Sequence, residues 1–477
     1  MFLTFMVASA NAQPNLSFYS FNNQFNSFDY NPAFLTSREK FTFSIFPLAG
    51  TSIGYNNQWV IKNLASKFFS GSIQNRDFNK SLSSMVIQSP FHQNIESSWL
   101  SFTYLSDIGF FNFRIKDSEY ILASLDGDIT KFIFNADVPS VVINQPQYLP
   151  IQAVHYREYS LGYSYKSRSN RLSAGIRAKL YYGKSAFFSN MAGSIQKEPA
   201  PSNNYVFRTI GTINISFPKS IAISTKSIDF NSSTVINYLM NTGNPGMGVD
   251  LGINYHLMPD LSFSMSVIDL GKIKWKTNLY TMPLGITYTL PISVFPQTVG
   301  GVPMLFKDRL NTYIDSLNIS DLKSEKKAFS KPLPATIYAG LKYQVNPSFS
   351  MNIADRLVVI KDLNYNSLSL TGKLDVNKIL SFSTGYSIIG DSYLNIPLAF
   401  QFRGNFGQVY LGTENLTAIL LPNYAQYAGI SFGACFYLFT QRSLYLKPSN
   451  LTPFYKPRKI IKNSKTGLTE NANLDYN

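Results

Sequence analysis

Three histidines, His92, His155 and His256, and one cysteine, Cys435, are the residues best suited to nucleophilic or metal chemistry. None of the histidines has HExxH-like spacing, and one cysteine builds neither a thiolate metal site nor an internal disulfide. His155 and His256 each lie in or beside a strand with serines nearby, the first ingredients of a Ser–His hydrolase. In so serine-rich a chain that proximity is expected without any catalytic role. Asp126-Gly127-Asp128 begins like a calcium loop, but the remaining EF-hand ligands do not follow, and a turn accounts for it. Gly243-Asn244-Pro245-Gly246 and Gly300-Gly301 precede neither Lys-Ser/Thr nor a helical pattern, so they read as turns rather than phosphate loops. No enzyme activity, cofactor or metal is expected.

The elements that would position these groups are strands. Arg171 to Leu180, RLSAGIRAKL, puts Leu172, Ala174, Ile176, Ala178 and Leu180 on one face and Arg171, Ser173, Gly175, Arg177 and Lys179 on the other. It follows Tyr159 to Tyr165 across the polar link Lys166–Asn170, which makes a hairpin. A second hairpin turns at Met258-Pro259-Asp260, with Val249, Leu251, Ile253 and Tyr255 opposite Asp250, Gly252, Asn254 and His256. A third turns at Asn346-Pro347-Ser348. The last strand aligns Ile430, Phe432, Ala434, Phe436 and Leu438.

Composition decides what the apolar faces meet. Only 14% of the 477 residues are charged, against about 25% for a typical globular domain. Aromatics reach 15%, with 38 Phe and 30 Tyr but 3 Trp. No uninterrupted apolar run of the ~20 residues a membrane helix needs follows the amino terminus. Leu284–Phe306 comes nearest, and its three prolines and Gly-Gly pair make it a poor helix. Strands of roughly ten residues, with one apolar and one small or polar face, match outer-membrane strands of ~9–11 residues. Tight turns alternate with long connections (Val60–Glu96, Lys184–Asn204, Lys219–Pro245, Pro291–Lys331), the asymmetry of an outer-membrane barrel. The expected fold is an all-β transmembrane antiparallel barrel of about 14 strands (12 to 16) over residues 39–442, preferred to a β-sandwich.

In such a barrel Arg171, Arg177, Lys179, Asp250 and His256 line the lumen. The cations would favour an anionic passenger, a carboxylate for instance, or pair with luminal carboxylates such as Asp250 or with a plug. The formal net charge is +15. A secreted barrel does not meet nucleic acid, and basic loops suit phosphorylated lipopolysaccharide or an acidic partner protein instead. Lys307–Lys331 has helix-compatible spacing but reads better as a solvated connection.

Residues 1–12 resemble a secretory signal peptide, with an apolar run at Phe2–Val7 and the pattern Ala10-Asn11-Ala12. Residues 13–38 carry many aromatics and cannot form a spanning strand throughout, so they are expected to plug the lumen. Their last feature is the turn Asn31-Pro32-Ala33, where proline forces the chain out of regular structure before the first strand. Residues 443–477 lose periodicity and are basic, which predicts a flexible periplasmic tail. An even strand number puts both termini in the periplasm.

The NPA turn just before the first strand resembles the plug-bearing barrels of the FadL long-chain fatty-acid transporter type. That resemblance implies 14 strands and an amino-terminal hatch, although no glycine-rich hatch precedes Asn31. PorV, associated with type IX secretion in Bacteroidota, belongs to the same broad group. The blocks NPAFLTSREKFTFSIFPLAGTS, NPGMGVDLGINYHLMPDLSFSMSVIDLGKIKWK and LPATIYAGLKYQVNPSFSMN are similar to an uncharacterised Bacteroidota family of outer-membrane barrels. The resemblance implies passage of a hydrophobic or amphipathic small molecule across the outer membrane. The alternative is a non-transporting scaffold that binds a periplasmic or outer-membrane protein in a secretion or gliding assembly.

Overall fold

Alternation with period two over ten or more residues commits a segment to a strand with two unlike faces. The structure, a computed structural model, describes residues 16–21, 24–34, 40–56, 61, 91–123, 143–199, 201–202, 204–217, 232–291, 298–299, 302–303, 327–360, 363–376, 379–390, 392–438, 461–462 and 469–470. The Met1–Ala12 segment, Asp126–Asp128, Gly300-Gly301, most of Lys307–Lys331 and nearly all of the tail lie outside the described residues.

The strands form a closed antiparallel barrel with 14 wall positions. The first position is shared by β1 (Phe41–Ile45) and β2 (Thr51–Asn56), both paired with β3 (Phe91–Ser106). A meander continues through β4 (Gly109–Ala123), β5 (Ile143–Lys166) and β6 (Leu172–Lys197). β6 has 26 residues and two partners in succession. Its first half pairs with β8 (Asn244–His256), its second with β7 (Asn204–Ser216). β9 (Leu261–Trp275) lies beside β8, and β10 (Leu279–Pro291) beside β7. Helix α1 (Ser232–Leu239) belongs to the excursion between β7 and β8.

β11 (Thr298–Val299) and β12 (Val302–Pro303) form a small separate ladder. The end of β9 pairs with β13 (Phe329–Pro332) and its beginning with β14 (Ala335–Asn346). β15 (Phe349–Ile360), β16 (Leu363–Val376) and β17 (Leu380–Ile389) follow. β17 then pairs with β18 (Ser392–Asn395) and β19 (Leu398–Arg403), and β19 with β20 (Gly407–Thr413). After the short helix α2 (Thr417–Leu420), β21 (Tyr427–Leu438) pairs with β20 and returns to β1 and β2, which closes the wall. β22 (Ile461–Lys462) and β23 (Thr469–Glu470) form another two-residue ladder. Each of the 14 wall positions is paired on both sides, which satisfies the backbone donors and acceptors of the ring without water; β10 extends past it with β7 as its one partner among the described residues.

The hairpins expected at Lys166–Asn170, Met258–Asp260 and Asn346–Ser348 are present, and all three share one rim with the start of β1 and the end of β21. At the opposite rim the connections range from two residues between β15 and β16 to the long stretches between β2 and β3 and between β7 and β8. One of the expected connections is corrected: most of Lys184–Asn204 is the far half of β6, running on against β7.

Side-chain direction separates two solvents. Leu161, Ile176, Leu180, Leu251, Ile353 and Leu370 point outward and are 45–61% exposed. Ser160, Ser164, Ser264, Ser266, Thr371 and Ser383 point inward and are buried. A soluble sandwich buries its apolar faces against each other; here the apolar faces look out, as in a transmembrane barrel.

Candidate functional site: the lumen and its amino-terminal insert

Residues 16–21 and 24–34 lie inside the barrel as two turns of 3-10 helix, Ser17–Ser20 and Ser27–Asp29, followed by the Asn31-Pro32-Ala33 turn. Proline at position 32 supplies no donor, so the Asn31 side chain takes over the local hydrogen bonding. Its Oδ1 accepts from the Ala33 amide at 2.8 Å, and its Nδ2 donates to the carbonyls of Ile253 and Met265 at 3.1 and 3.3 Å. Ser164 donates to the Pro32 carbonyl. The wall is bare where the turn rests. Gly175 and Gly252 are register partners, and a Cβ on Gly175 would lie 2.2 Å from the Pro32 oxygen. One on Gly252 would lie 2.1 Å from Asn31 Oδ1.

Aromatic packing anchors the rest of the insert. Phe18 meets Tyr410 edge-on at 5.2 Å, Tyr19 stacks on Tyr338 at 5.4 Å, and Phe28 stacks on Phe110 at 4.9 Å. The Tyr19 hydroxyl donates to Ser264 Oγ at 3.0 Å, and burial pushes it up to about 12, so it stays protonated at physiological pH. Asn26 Nδ2 donates to the Tyr410 hydroxyl at 2.8 Å, and the Phe25 amide to Gln408 Oε1 at 3.0 Å. These partners sit on β4, β9, β14 and β20, so the insert is held from widely separated parts of the wall.

Asp29 is the electrostatic centre. One carboxylate oxygen pairs with Arg114 Nη1 and the other accepts from Arg177 Nη1 at 2.9 Å. Burial opposes ionisation of this carboxyl, but Arg114, Arg177 and Lys116 prevail and hold it well below the usual carboxylate range. Arg177 also donates to Asp250 Oδ2 at 2.7 Å. Lys179 Nζ lies 2.6 Å from Asp269, 2.9 Å from Asp250 and 3.2 Å from Glu158. Lys116 lies 3.4 Å from Glu96. Such buried charges persist only because each is paired.

The residues singled out by sequence divide between these surroundings. Arg177, Lys179 and Asp250 come together in the lumen; Arg171 is exposed in the β5–β6 turn, and His256 is half-buried at the end of β8. Asn31, Pro32 and Ala33 are buried against β5, β6, β8 and β9. Asp29, Arg114, Lys116, Glu158 and Asp269 were not anticipated. Arg114 and Lys116 carry the same alternating signal as Arg177 and Lys179, in FRIKDSEY, and Asp29 is the single acid between Gln13 and Arg38. His155 and Ser185 both bond the Tyr238 hydroxyl of α1, at 2.6 and 3.0 Å, which ties this Ser–His pair to a structural contact. Among the described residues no group of three or more His, Cys, Asp or Glu could hold a metal ion.

Two small cavities adjoin the insert. One, of about 20 Å³, borders Asp29, Arg114 and Tyr410; the other, of about 40 Å³, borders Asp29, Glu96, Lys116, Tyr120, Thr336 and Tyr338. Each has room for a few water molecules at most along the insert.

A closed antiparallel wall, apolar outside and charged within, with an aromatic amino-terminal segment seated in its lumen, defines a transmembrane β-barrel of the outer-membrane type. Residues 32–414 match DUF5723, a family of unknown function, and the chain belongs to that family. No curated protein matches the sequence. Among solved structures it is similar to the Pseudomonas putida toluene transporter TodX, at 10% identity over 90% of this chain and 94% of that one, with a TM-score of 0.37. The Ralstonia pickettii toluene transporter TbuX is similar at 10% identity over 85% and 90%, TM-score 0.37. A Pseudomonas aeruginosa FadL homologue is similar at 11% identity over 90% and 100%, TM-score 0.40. The strand pairing, not this likeness, carries the barrel assignment.

Proposed function

We propose that the barrel sits in an outer membrane, with both termini on the periplasmic side, and passes a small amphipathic molecule through its lumen. The insert is the gate. The observation that carries this reading is the convergence of Arg114 and Arg177 on one carboxylate, Asp29, supplied by a segment that is not part of the wall. A passenger with an apolar tail and a carboxylate head would substitute for Asp29 between the two guanidiniums, and the aromatic walls vacated by Phe18, Tyr19 and Phe28 would receive the tail. Coupled exchange of this kind keeps both arginines paired in either state, which avoids the cost of stranding a buried charge.

The test is transfer of a fluorescent long-chain carboxylate into liposomes carrying the purified barrel, beside its neutral alcohol analogue. The reading requires faster transfer of the carboxylate than of the alcohol, and loss of that preference in Arg114→Met/Arg177→Met. Equal transfer of both, or transfer no faster than across empty liposomes, would overturn it.

A second reading, a non-transporting scaffold in an outer-membrane secretion or gliding assembly, is favoured by the close seating of the insert among the described wall residues, with cavities of about 20 and 40 Å³ beside Asp29. It requires a stoichiometric protein partner on native extraction, lost when residues 447–477 are deleted.

A further inference from the structure

Inward positions along β4 give the axial order of the lumen. Phe110 stacks on Phe28, Arg114 pairs with Asp29, Lys116 and Tyr120 border the larger cavity, and Leu122 comes last. Leu122 is fully buried, yet its apolar neighbours are Val358 and Ile360 of β15. β4 is the third wall position and β15 the ninth of 14, so this contact crosses the lumen. Beside it, Tyr120, Tyr156, Tyr181, Trp275 and Leu333 form one buried cluster contributed by β4, β5, β6, β9 and the link before β14. Farther round, Ile389 of β17 packs on Tyr427 of β21. Val358 is the register partner of Thr336, which borders the cavity, so the layer begins where the cavity ends. Gly183 leaves the space for Trp275: a Cβ there would meet the indole at 2.5 Å.

We infer that these wall residues form a second closure, an apolar septum on the far side of the charged layer from the insert, so that displacing the insert alone does not open a continuous water path. The septum has the chemistry of a hydrophobic gate. Where Leu122 meets Val358 and Ile360 no polar side chain could replace the hydration of an ion, and an apolar chain could part the contact. His92 and Asn94, register partners of Leu122 and Tyr120, are the buried polar groups of the adjoining strand at this level. It makes Leu122, Val358, Ile360 and Trp275 the residues that decide what traverses the barrel once the insert has moved. The seal holds whether or not the barrel has a carboxylate passenger, so it is read with potassium and chloride ions alone.

The experiment is single-channel conductance in planar bilayers with potassium chloride. A variant lacking residues 14–34 is expected to stay at the level of the full chain, and the same deletion with Leu122→Gly, Val358→Gly and Ile360→Gly is expected to conduct steadily. Conductance from the deletion alone, or none from the combined variant, would overturn the inference. Should the deletions fail to fold, the full chain answers by thiol labelling. With Cys435→Ser and Thr336→Cys, a charged, water-soluble methanethiosulfonate should leave the cavity cysteine unlabelled. Adding Leu122→Gly, Val358→Gly and Ile360→Gly should bring labelling close to completion. Equal labelling with and without the three glycines would contradict the septum.

Discussion

Gly175 of β6 and Gly252 of β8 face each other across the ladder, and the Asn31–Pro32 segment rests on the bare patch they leave. Two side-chain-free positions on the inner wall are therefore shaped to the insert rather than to the barrel. Gly175→Val places a methine carbon within 2.2 Å of the Pro32 carbonyl oxygen. Backbone on both sides leaves nothing to yield, and the expected outcome is a folded barrel that has released its insert. Proteinase K digestion should remove the insert from Gly175→Val and spare it in the parent. Gly285→Ala, whose Cβ meets nothing within 4 Å, is the matched control and should behave as the parent.

Asp29→Asn keeps the shape of the side chain and removes its charge, leaving Arg114 and Arg177 buried with less compensation. Seating of the insert should weaken by about 3 kcal/mol, the usual cost of breaking one side of a buried pair. The change should appear as faster hydrogen exchange at the Ala33 and Phe34 amides, and pairing the substitution with Arg177→Met should recover part of the loss. Unchanged exchange would mean that aromatic packing alone seats the insert.

The pH dependence has a definite sign. The seated Asp29 carboxyl lies below its ordinary value of 3.8, so the stabilisation is complete above that value and is lost as acid titrates the seated group. Protection of the insert should therefore be flat from pH 8 down to about pH 4 and decline only in stronger acid. A midpoint near neutrality in protease protection would show that a different group controls seating.

Asn244 fastens the place where β6 changes partner. Its Nδ2 donates to the Gly183 carbonyl at 3.2 Å and to Ser216 Oγ at 3.4 Å, while its Oδ1 accepts from the Lys276 and Thr277 amides at 2.7 and 3.0 Å. Asn244→Ala removes the acceptor of the Lys276 and Thr277 amides, at about 1–3 kcal/mol for an amide left unpaired, while the Gly183 carbonyl keeps Asn241 and Ser216 keeps the Thr277 carbonyl. Increased hydrogen exchange confined to Lys276 and Thr277, with the first half of β6 unchanged, is the expected result.

Legibility in the sequence followed the difference between the two faces of each strand. Where the inner face meets polar neighbours, as at Arg177, Lys179 and Asp250, alternation is strong and the strands, turns and facing residues were all readable. Beyond Gly183 the inner face of β6 meets the aromatic cluster through Ala186 and Phe188, so both faces turn apolar or small and the period is lost. A register shift at His155/Tyr156 adds one more residue out of phase. That is why Lys184–Asn204 read as a connection. The septum was hidden for a related reason: Leu122, Val358 and Ile360 look in sequence like any lipid-facing residues, and only closure of the ring shows that they face one another. Asp29 could have been picked out as the lone acid of an aromatic stretch, but its two arginine partners come from strands 85 and 148 residues away.

The proposed gating by the insert is tested most directly by locking the insert in place. The hydroxyls of Ser20 and Ser383 lie 3.5 Å apart, a spacing at which paired cysteines can form a disulfide between insert and wall. With Ser20→Cys, Ser383→Cys and Cys435→Ser, transfer of the fluorescent carboxylate into liposomes should stop on oxidation and return on reduction. Transfer that continues with the insert covalently fixed to β17 would contradict the account.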